Sequence, residues 1–365
     1  MLKRILLGVV ALIFIAVAVI AAAWVQFDIP RDELQAKYAN EASQFIELRS
    51  GAVAHVRDQG NPDGDVLVLV HGSNAALQTW EPWVAALGDT YRIITLDMPA
   101  HGLTGATPDE DYSVKGMAAF TRETVRKLGI ETFTLGGNSM GGAVALNYAV
   151  EYPEDLEGLI LVCAAGIKRD ASETSSGSAS WAFSLVRMPI IGDLLEIITP
   201  RSLFANSLNS VFVDKSIVTE DMITLYYELN VMEGTRLATF KRFGTPRDPV
   251  PDEVVQALDV PTLVMWGDKD PLIPVSVGQR FDELLPNSTL VIYENVGHIP
   301  MEEVAEVSAG DVRAFMSGNA GAAEEAPVMP ALEATVTVED DGSLTVEMTP
   351  EADAEETEAP AAAAE

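Results

Sequence analysis

The sequence predicts an α/β fold: a mostly parallel sheet flanked by helices, with an inserted helical cap, an N-terminal transmembrane helix and a disordered C-terminal tail. Three observations carry the core of that expectation. Short apolar runs, among them Val66–Val70, Tyr91–Leu96, Thr132–Gly136, Thr262–Trp266 and Thr289–Tyr293, alternate with longer helix-like stretches. That rhythm is the mark of strand–helix–strand units in a parallel sheet. The alternation breaks between about Ala164 and Val260. Finally, Gly137-Asn138-Ser139-Met140-Gly141 follows one apolar run and precedes Gly142–Leu146, which reads as strand, sharp turn and helix.

From the N-terminus, residues Ile5 to Val25 carry no charged side chain. As a helix they would span about 31 Å, enough to cross a bilayer core. Lys3 and Arg4 precede the run, and Asp28, Asp32 and Glu33 come after it. The positive-inside rule then places the N-terminus in the cytoplasm and the rest of the chain on the far side, in a bacterium the periplasmic face of the inner membrane. A cleaved signal peptide with Ala21-Ala22-Ala23 at its site, and hence secretion, is the rival reading; its apolar region would exceed the usual ~7–15 residues. Residues 1–25 are therefore assigned to an anchor. Residues 26–44 are expected to form a linker helix, with Leu34, Tyr38 and Ala42 at four-residue spacing. Phe45–Leu48 and Ala52–Val56 read as an antiparallel strand pair turned by Ser50-Gly51.

The core is expected over residues 45–163 and 261–317, and the cap over 164–260. Arg169–Ser180 is polar and serine-rich, hence a loop. Beyond it Trp181, Leu185, Met188, Leu194, Leu195, Met222, Leu225, Tyr226 and Met232 recur at helical spacing. Such a cap would roof a site at the sheet edge and suit an apolar substrate. Residues 318–365 hold thirteen acidic residues and no Lys or Arg, which predicts disorder. Thr335–Val338 and Ser343–Met348 alternate around Asp340-Asp341-Gly342, but an isolated hairpin is marginal, so the whole tail is expected to be disordered.

Chemistry enters with Ser139. A G-x-S-x-G pattern arises by chance in roughly one chain in ten of this length, so the motif alone is weak. The residues downstream strengthen it. Such turns are succeeded along the chain by an acid and then a histidine, and His298 is the only histidine after Ser139. It lies just past the run Thr289–Tyr293, and Gly267-Asp268-Lys269-Asp270 lies just past Thr262–Trp266. Both positions are carboxyl ends of strands, where open parallel sheets build sites. His55 sits within a strand and reads as structural; His71 and His101 belong to loops. A serine activated by a histidine attacks a carbonyl, and the resulting oxyanion needs preplaced N–H donors. The backbone N–H of Met140 is one candidate. The other is the N–H of Ser73, in the loop His71-Gly72-Ser73-Asn74 that ends Val66–Val70.

His71-Gly72, Asp97-Met98-Pro99-Ala100-His101-Gly102, Gly137–Gly142, Trp266-Gly267-Asp268-Lys269-Asp270 and Gly297-His298 together resemble the α/β-hydrolase superfamily, over roughly residues 45–317. The resemblance implies that the acid is the second aspartate of Trp-Gly-x-x-Asp, Asp270 rather than Asp268. Ala100 departs from it, standing where the family usually has glycine. Haloalkane dehalogenases and epoxide hydrolases share the layout but carry aspartate at the nucleophile, which Ser139 argues against. The elbow is also similar to that of carbon–carbon bond hydrolases of aromatic degradation, which usually show tryptophan after the histidine. Here Ile299-Pro300-Met301-Glu302-Glu303 comes next, which looks more like esterases, lipases and monoacylglycerol lipases. The resemblance thus implies a serine hydrolase of small apolar carboxylic esters. Carbon–carbon hydrolysis stands second, and a non-catalytic binding protein on the same fold third.

A formal net charge of −32 argues against nucleic acid as a partner and against adhesion of the domain surface to anionic lipid heads. Cys163 is the sole cysteine, so no internal disulfide is expected. No Cys/His cluster has metal-ligand spacing, and the expected chemistry needs neither metal nor cofactor.

Overall fold

The computed structural model describes Gly8, residues 26–169 and 199–318, and the backbone of 332–338 and 344–350. Its frame is an eight-stranded mixed sheet. After helix α1 (Arg31–Tyr38) come β1 (Ser43–Glu47), β2 (Val53–Gly60) and β3 (Val66–Val70). Then come α2 (Glu81–Leu87), β4 (Arg92–Leu96), α3 (Val114–Lys127), β5 (Phe133–Asn138), α4 (Met140–Glu151) and β6 (Leu156–Val162). Past the helical insertion lie β7 (Thr262–Gly267), α9 (Val275–Leu284), β8 (Ser288–Tyr293), α10 (Pro300–Glu303) and α11 (Ala305–Met316). The insertion holds α5 (Arg201–Val211), α6 (Glu220–Asn230), α7 (Thr235–Gly244) and α8 (Asp252–Val255).

The strands run in the order β1-β2-β4-β3-β5-β6-β7-β8. β1 and β2 pair antiparallel, as does β2 with β4, and every later pairing is parallel. Because side chains alternate along a strand, each central strand feeds two cores. Val68, Val70, Leu159, Leu161, Val264 and Trp266 face one, which is closed by Phe120 and Val125 of α3, Val144 and Tyr148 of α4 and Phe281 of α9. Leu67, Leu69, Ile160, Val162, Leu263 and Met265 face the other, closed by Trp83 and Leu87 of α2 and Val312 of α11. Each fully buried aliphatic side chain contributes about 1.5–3 kcal/mol. Trp83 Nε1 donates to Ser308 Oγ at 2.9 Å, joining α2 to α11 and satisfying a polar atom that this packing would otherwise strand. The chain leaves β3 toward β4 and returns across it to β5, so the strand order reverses between β3 and β5. Crevices at such reversals are where open α/β sheets bind ligands.

Two expectations are corrected. The linker helix stops at Tyr38 rather than running to residue 44. Ala39 is extended, and Asn40 Oδ1 accepts the Ala42 N–H at 3.1 Å, a turn that competes with the helix and delivers the chain into β1. The tail is not disordered throughout. β9 (Leu332–Val338) and β10 (Leu344–Pro350) pair antiparallel, with Val336 opposite Val346. Their Thr and Val content favours extended backbone. This hairpin belongs to a second compact unit, residues 322–365.

The run 5–25 read as an anchor lies outside the described residues except for Gly8, and so do Trp181, Leu185, Met188, Leu194 and Leu195. Among the described residues no helix is long and apolar enough to cross a membrane.

The insertion meets the rest of the first unit through a third, smaller core. Tyr226 and Leu229 of α6 and Met232 pack with Leu34 of α1 and with Ala76 and Leu103 from the loops after β3 and β4. Polar contacts add to it. Ile29 N–H donates to Val231 O at 3.0 Å, and Arg236 pairs with Asp28 and donates to Gln26 O at 2.7 Å.

Candidate active site

Ser139 is the single residue between β5 and α4, with φ 54° and ψ −112°. Side chains other than glycine seldom adopt this conformation, and here the surroundings hold it. Its N–H donates to Val162 O at 3.0 Å, and its carbonyl accepts from Ala143 and Ala165 at 3.2 and 2.9 Å. The flanking glycines are sterically required. A Cβ on Gly137 would fall 2.2 Å from Gly141 O, and one on Gly141 would fall 2.1 Å from Val70 O. Without them α4 could not close against β3, and the turn would open.

Asp270 and His298 come directly after β7 and β8. His298 Nδ1 and Asp270 Oδ2 lie 2.6 Å apart, both side chains buried. An ionised carboxylate only accepts, so Nδ1 carries the proton and Nε2 is left with its lone pair. Asp270 Oδ1 is fixed separately, accepting the Leu272 and Ile273 N–H groups at 2.8 and 2.9 Å. The other candidate acid, Asp268, pairs instead with Lys269. The histidine loop is tied on both sides: His298 N–H donates to Val211 O at 2.8 Å, and Asn138 Nδ2 donates to His298 O at 3.1 Å. Asn138 also donates to Val162 O at 3.2 Å, so the residue before Ser139 links three strand ends.

Ser139, His298 and Ser73 line one cavity of about 610 Å³. Its walls are mostly apolar: Leu203, Phe204 and Leu208 of α5, Tyr226 of α6, Phe240 and Phe243 of α7. Met140 begins α4, so its N–H lies at the positive end of that helix. Asp270 stands behind His298, outside the cavity lining. The five residues singled out in the sequence therefore fall at the ends of β3, β5, β7 and β8, on one edge of the sheet.

Cys163 lies close behind. Its thiol, Asp270 and His298 offer ligand atoms within 4.8 Å of one another, the one such grouping among the described residues. Burial pushes the Cys163 thiol well above its usual range, so it stays protonated. The facing atoms of Asp270 and His298 are already bonded to each other. This donor set does not suit a cation.

Three residues were not legible as site residues. Asn230 of α6 donates to Asn74 O at 3.0 Å. Arg242 of α7 donates to Ser73 Oγ at 2.8 Å and Asn74 Oδ1 at 3.2 Å. Glu302 accepts from Thr79 and Tyr226, and burial raises its carboxyl to about 7. A faint signal existed for Arg242. The buried positions Thr235, Ala238 and Arg242 share one helical stripe of α7, which puts the arginine on the inner face.

This arrangement can take a proton from a hydroxyl at the cavity wall and meet a negative oxygen with backbone N–H groups. Comparison with known proteins agrees with its fold. A family described as alpha/beta hydrolase fold matches residues 65–304. Lipase 3 of Moraxella sp. (strain TA144) is 25% identical over 303 residues, 80% of this chain and 88% of that protein. The 2-hydroxy-6-oxo-2,4-heptadienoate hydrolase of Pseudomonas putida is 26% identical over 260 residues, 69% of this chain and 88% of that one. The crystal structure of a membrane phospholipase A, a bacterial virulence factor, superposes with TM-score 0.64 at 24% identity, covering 88% of this chain and all of that one. On sheet order, strand-end site and family match together, the chain belongs to the α/β-hydrolase fold family.

Proposed function

We propose that the protein is a membrane-anchored serine hydrolase that cleaves carboxylic esters of apolar acyl groups through an acyl-enzyme. The observation that carries this reading is the placement of Ser139 and His298 on one apolar cavity, with His298 bonded to Asp270 at 2.6 Å. His298 Nε2 takes the Ser139 proton as Oγ attacks the ester carbonyl. Asp270 holds the imidazole in the required tautomer and stabilises the imidazolium. The N–H groups of Ser73 and Met140 meet the oxyanion. Collapse expels the alcohol, which takes its proton from His298. Water, deprotonated by the same nitrogen, then attacks the acyl-enzyme, releases the acid and restores Ser139.

The cavity walls support an apolar acyl group, and the name of the Moraxella relative supports an ester. The N-terminal apolar run supports an anchor, with the domain on the non-cytoplasmic face. Two measurements test the reading. In the full chain Ser139→Ala should lose about 10⁴-fold or more of ester hydrolysis and all labelling by a fluorophosphonate. Retained activity would remove Ser139 from the mechanism, and an unlabelled but folded wild type would favour a non-catalytic binding role. Membrane fractionation with protease accessibility reads the anchor and its orientation.

Carbon–carbon bond hydrolysis is the second reading, favoured by likeness to the Pseudomonas putida hydrolase. It predicts faster turnover of vinylogous diketones than of simple esters. The opposite preference excludes it.

A further inference from the structure

Arg242 is a buried cation with no counter-ion among the described residues. Its side chain is 2% exposed, and among the described residues no carboxylate pairs with it. Its guanidinium meets only neutral groups there: Ser73 Oγ at 2.8 Å, Asn74 Oδ1 at 3.2 Å, Met140 Sδ at 3.4 Å and the Phe243 ring at 4.2 Å. Nε has no hydrogen-bond partner among the described residues. The remaining neighbours do not neutralise it. Burial first, and then the charge of Arg242, push the His101 imidazole well below its usual range. His71 is likewise lowered, mainly by burial, with Arg242 adding to it. The guanidinium itself is lowered to about 9 by burial and by Arg247, so it remains charged at neutral pH.

Leaving a charge buried and unpaired is expensive. The groups it touches suggest what it meets. Ser73 and Met140 are the two residues assigned to the oxyanion, and Arg242 reaches the side chain of each. It also grips Asn74, whose φ of 60° places the loop in the left-handed region that ordinary residues avoid. Asn230 holds the Asn74 carbonyl from the neighbouring helix. The oxyanion loop is therefore clamped in its conformation by two side chains from the helical insertion.

We infer that Arg242 is a positioning residue for the oxyanion hole: from behind the cavity wall it fixes the Ser73–Asn74 loop, and its positive charge backs the two residues whose N–H groups meet the oxyanion. The inference rests on the serine-hydrolase reading above. In the ground state the guanidinium faces neutral oxygens. In the tetrahedral intermediate a negative oxygen forms beside Ser73 and Met140, the residues that the guanidinium touches. Such preorganised charge lowers the barrier more than it aids substrate binding.

The test uses the full chain in detergent with a medium-chain p-nitrophenyl ester. Removing a direct oxyanion donor lowers kcat about 10²–10³-fold. Arg242 acts one atom layer back, so Arg242→Gln should lower kcat about 10–100-fold and leave KM within about twofold. Arg242→Lys, which keeps the charge, should recover part of the loss. An alkyl boronic acid, whose Ser139 adduct is a tetrahedral anion, should bind more weakly to Arg242→Gln by about the factor lost in kcat/KM. Ser73→Ala keeps the backbone N–H but removes the acceptor for Arg242, and should lower kcat severalfold. It stands in if Arg242→Gln does not fold. A rise in KM at unchanged kcat, or Lys no better than Gln, or unaltered boronate affinity, overturns the inference. None of these results touches the serine-hydrolase reading, which falls only if Ser139→Ala stays active or wild type does not label.

Discussion

The sheet edge and the helical insertion build the same cavity by different means. At the sheet edge, position comes from the backbone. Ser139 is fixed by three main-chain hydrogen bonds and two glycines with no room for a side chain. Asp270 is fixed by two consecutive N–H groups. The insertion makes a few main-chain bonds, Val211 O to His298 N–H and Val231 O to Ile29 N–H, and adds side chains reaching across: Arg236 to Asp28, Asn230 to Asn74, Arg242 to Ser73, Tyr226 to Glu302. Backbone-built geometry is rigid and close-packed, so errors there are felt at once. Side-chain tethers are individually modest, about 1 kcal/mol for a typical hydrogen bond, and each controls only what it touches. On the proposed mechanism the chemistry is built on the rigid part, and access and tuning on the tethered part.

The largest test of that contrast is Asp270→Asn. It keeps the shape of the site but presents the wrong hydrogen-bonding partner to His298 Nδ1. On the proposed mechanism kcat should fall about 10³–10⁴-fold with KM little changed. A loss below tenfold would mean that the 2.6 Å contact is structural only. Gly141→Ala comes next. Its Cβ would lie 2.1 Å from Val70 O and 2.6 Å from His71 O, main-chain atoms that cannot rotate away. Overpacking of this kind should cost about 3 kcal/mol, read from urea unfolding, together with a fall in kcat because Met140 must shift. An unchanged midpoint would show that the turn has more slack than its contacts indicate.

Legibility in the sequence divides along the same line. Strand runs such as Val66–Val70 and the turn around Ser139 leave local signals, because burial on both faces of the sheet and close backbone approach constrain neighbouring residues. Ser139, Asp270 and His298 could be ordered along the chain for that reason. The contact between Arg242 and Ser73 joins residues 169 positions apart; the stripe on α7 turns Arg242 inward but does not say what it meets. The helix end at Tyr38 was missed because Asn40 closes a turn that four-residue spacing does not register. The alternation of Thr335–Val338 and Ser343–Met348 marks the tail hairpin in the sequence, but the marginal stability of an isolated hairpin argues against it.

Glu302 offers a test of the tethers through pH. Burial raises its folded-state carboxyl to about 7, against an ordinary value of 4.5. Between those values the folded protein binds the proton and the unfolded chain does not, so stability falls as pH rises through that window. The sign comes from the linkage relation, and the size is at most about 3 kcal/mol. Glu302→Gln cannot ionise and should flatten that part of the pH–stability curve, gaining on the wild type at pH 8 relative to pH 5. An unchanged slope between pH 4.5 and 7 would show that the Thr79–Glu302–Tyr226 link is open enough for water to hold the charge.

Arg236→Ala probes the smallest effect and separates the two arginines of α7. Arg236 lines the cavity and ties the insertion to residues Gln26 and Asp28; Arg242 reaches the Ser73–Asn74 loop. If each tether governs only what it touches, loss of Arg236 loosens the roof and leaves the sheet edge intact. KM should then rise about three- to tenfold with kcat within about twofold, the pattern of lost uniform binding. A matching fall in kcat would mean that the roof and the reacting groups move together. The insertion would then be part of the catalytic geometry as a whole, rather than through Arg242 and Asn230 alone.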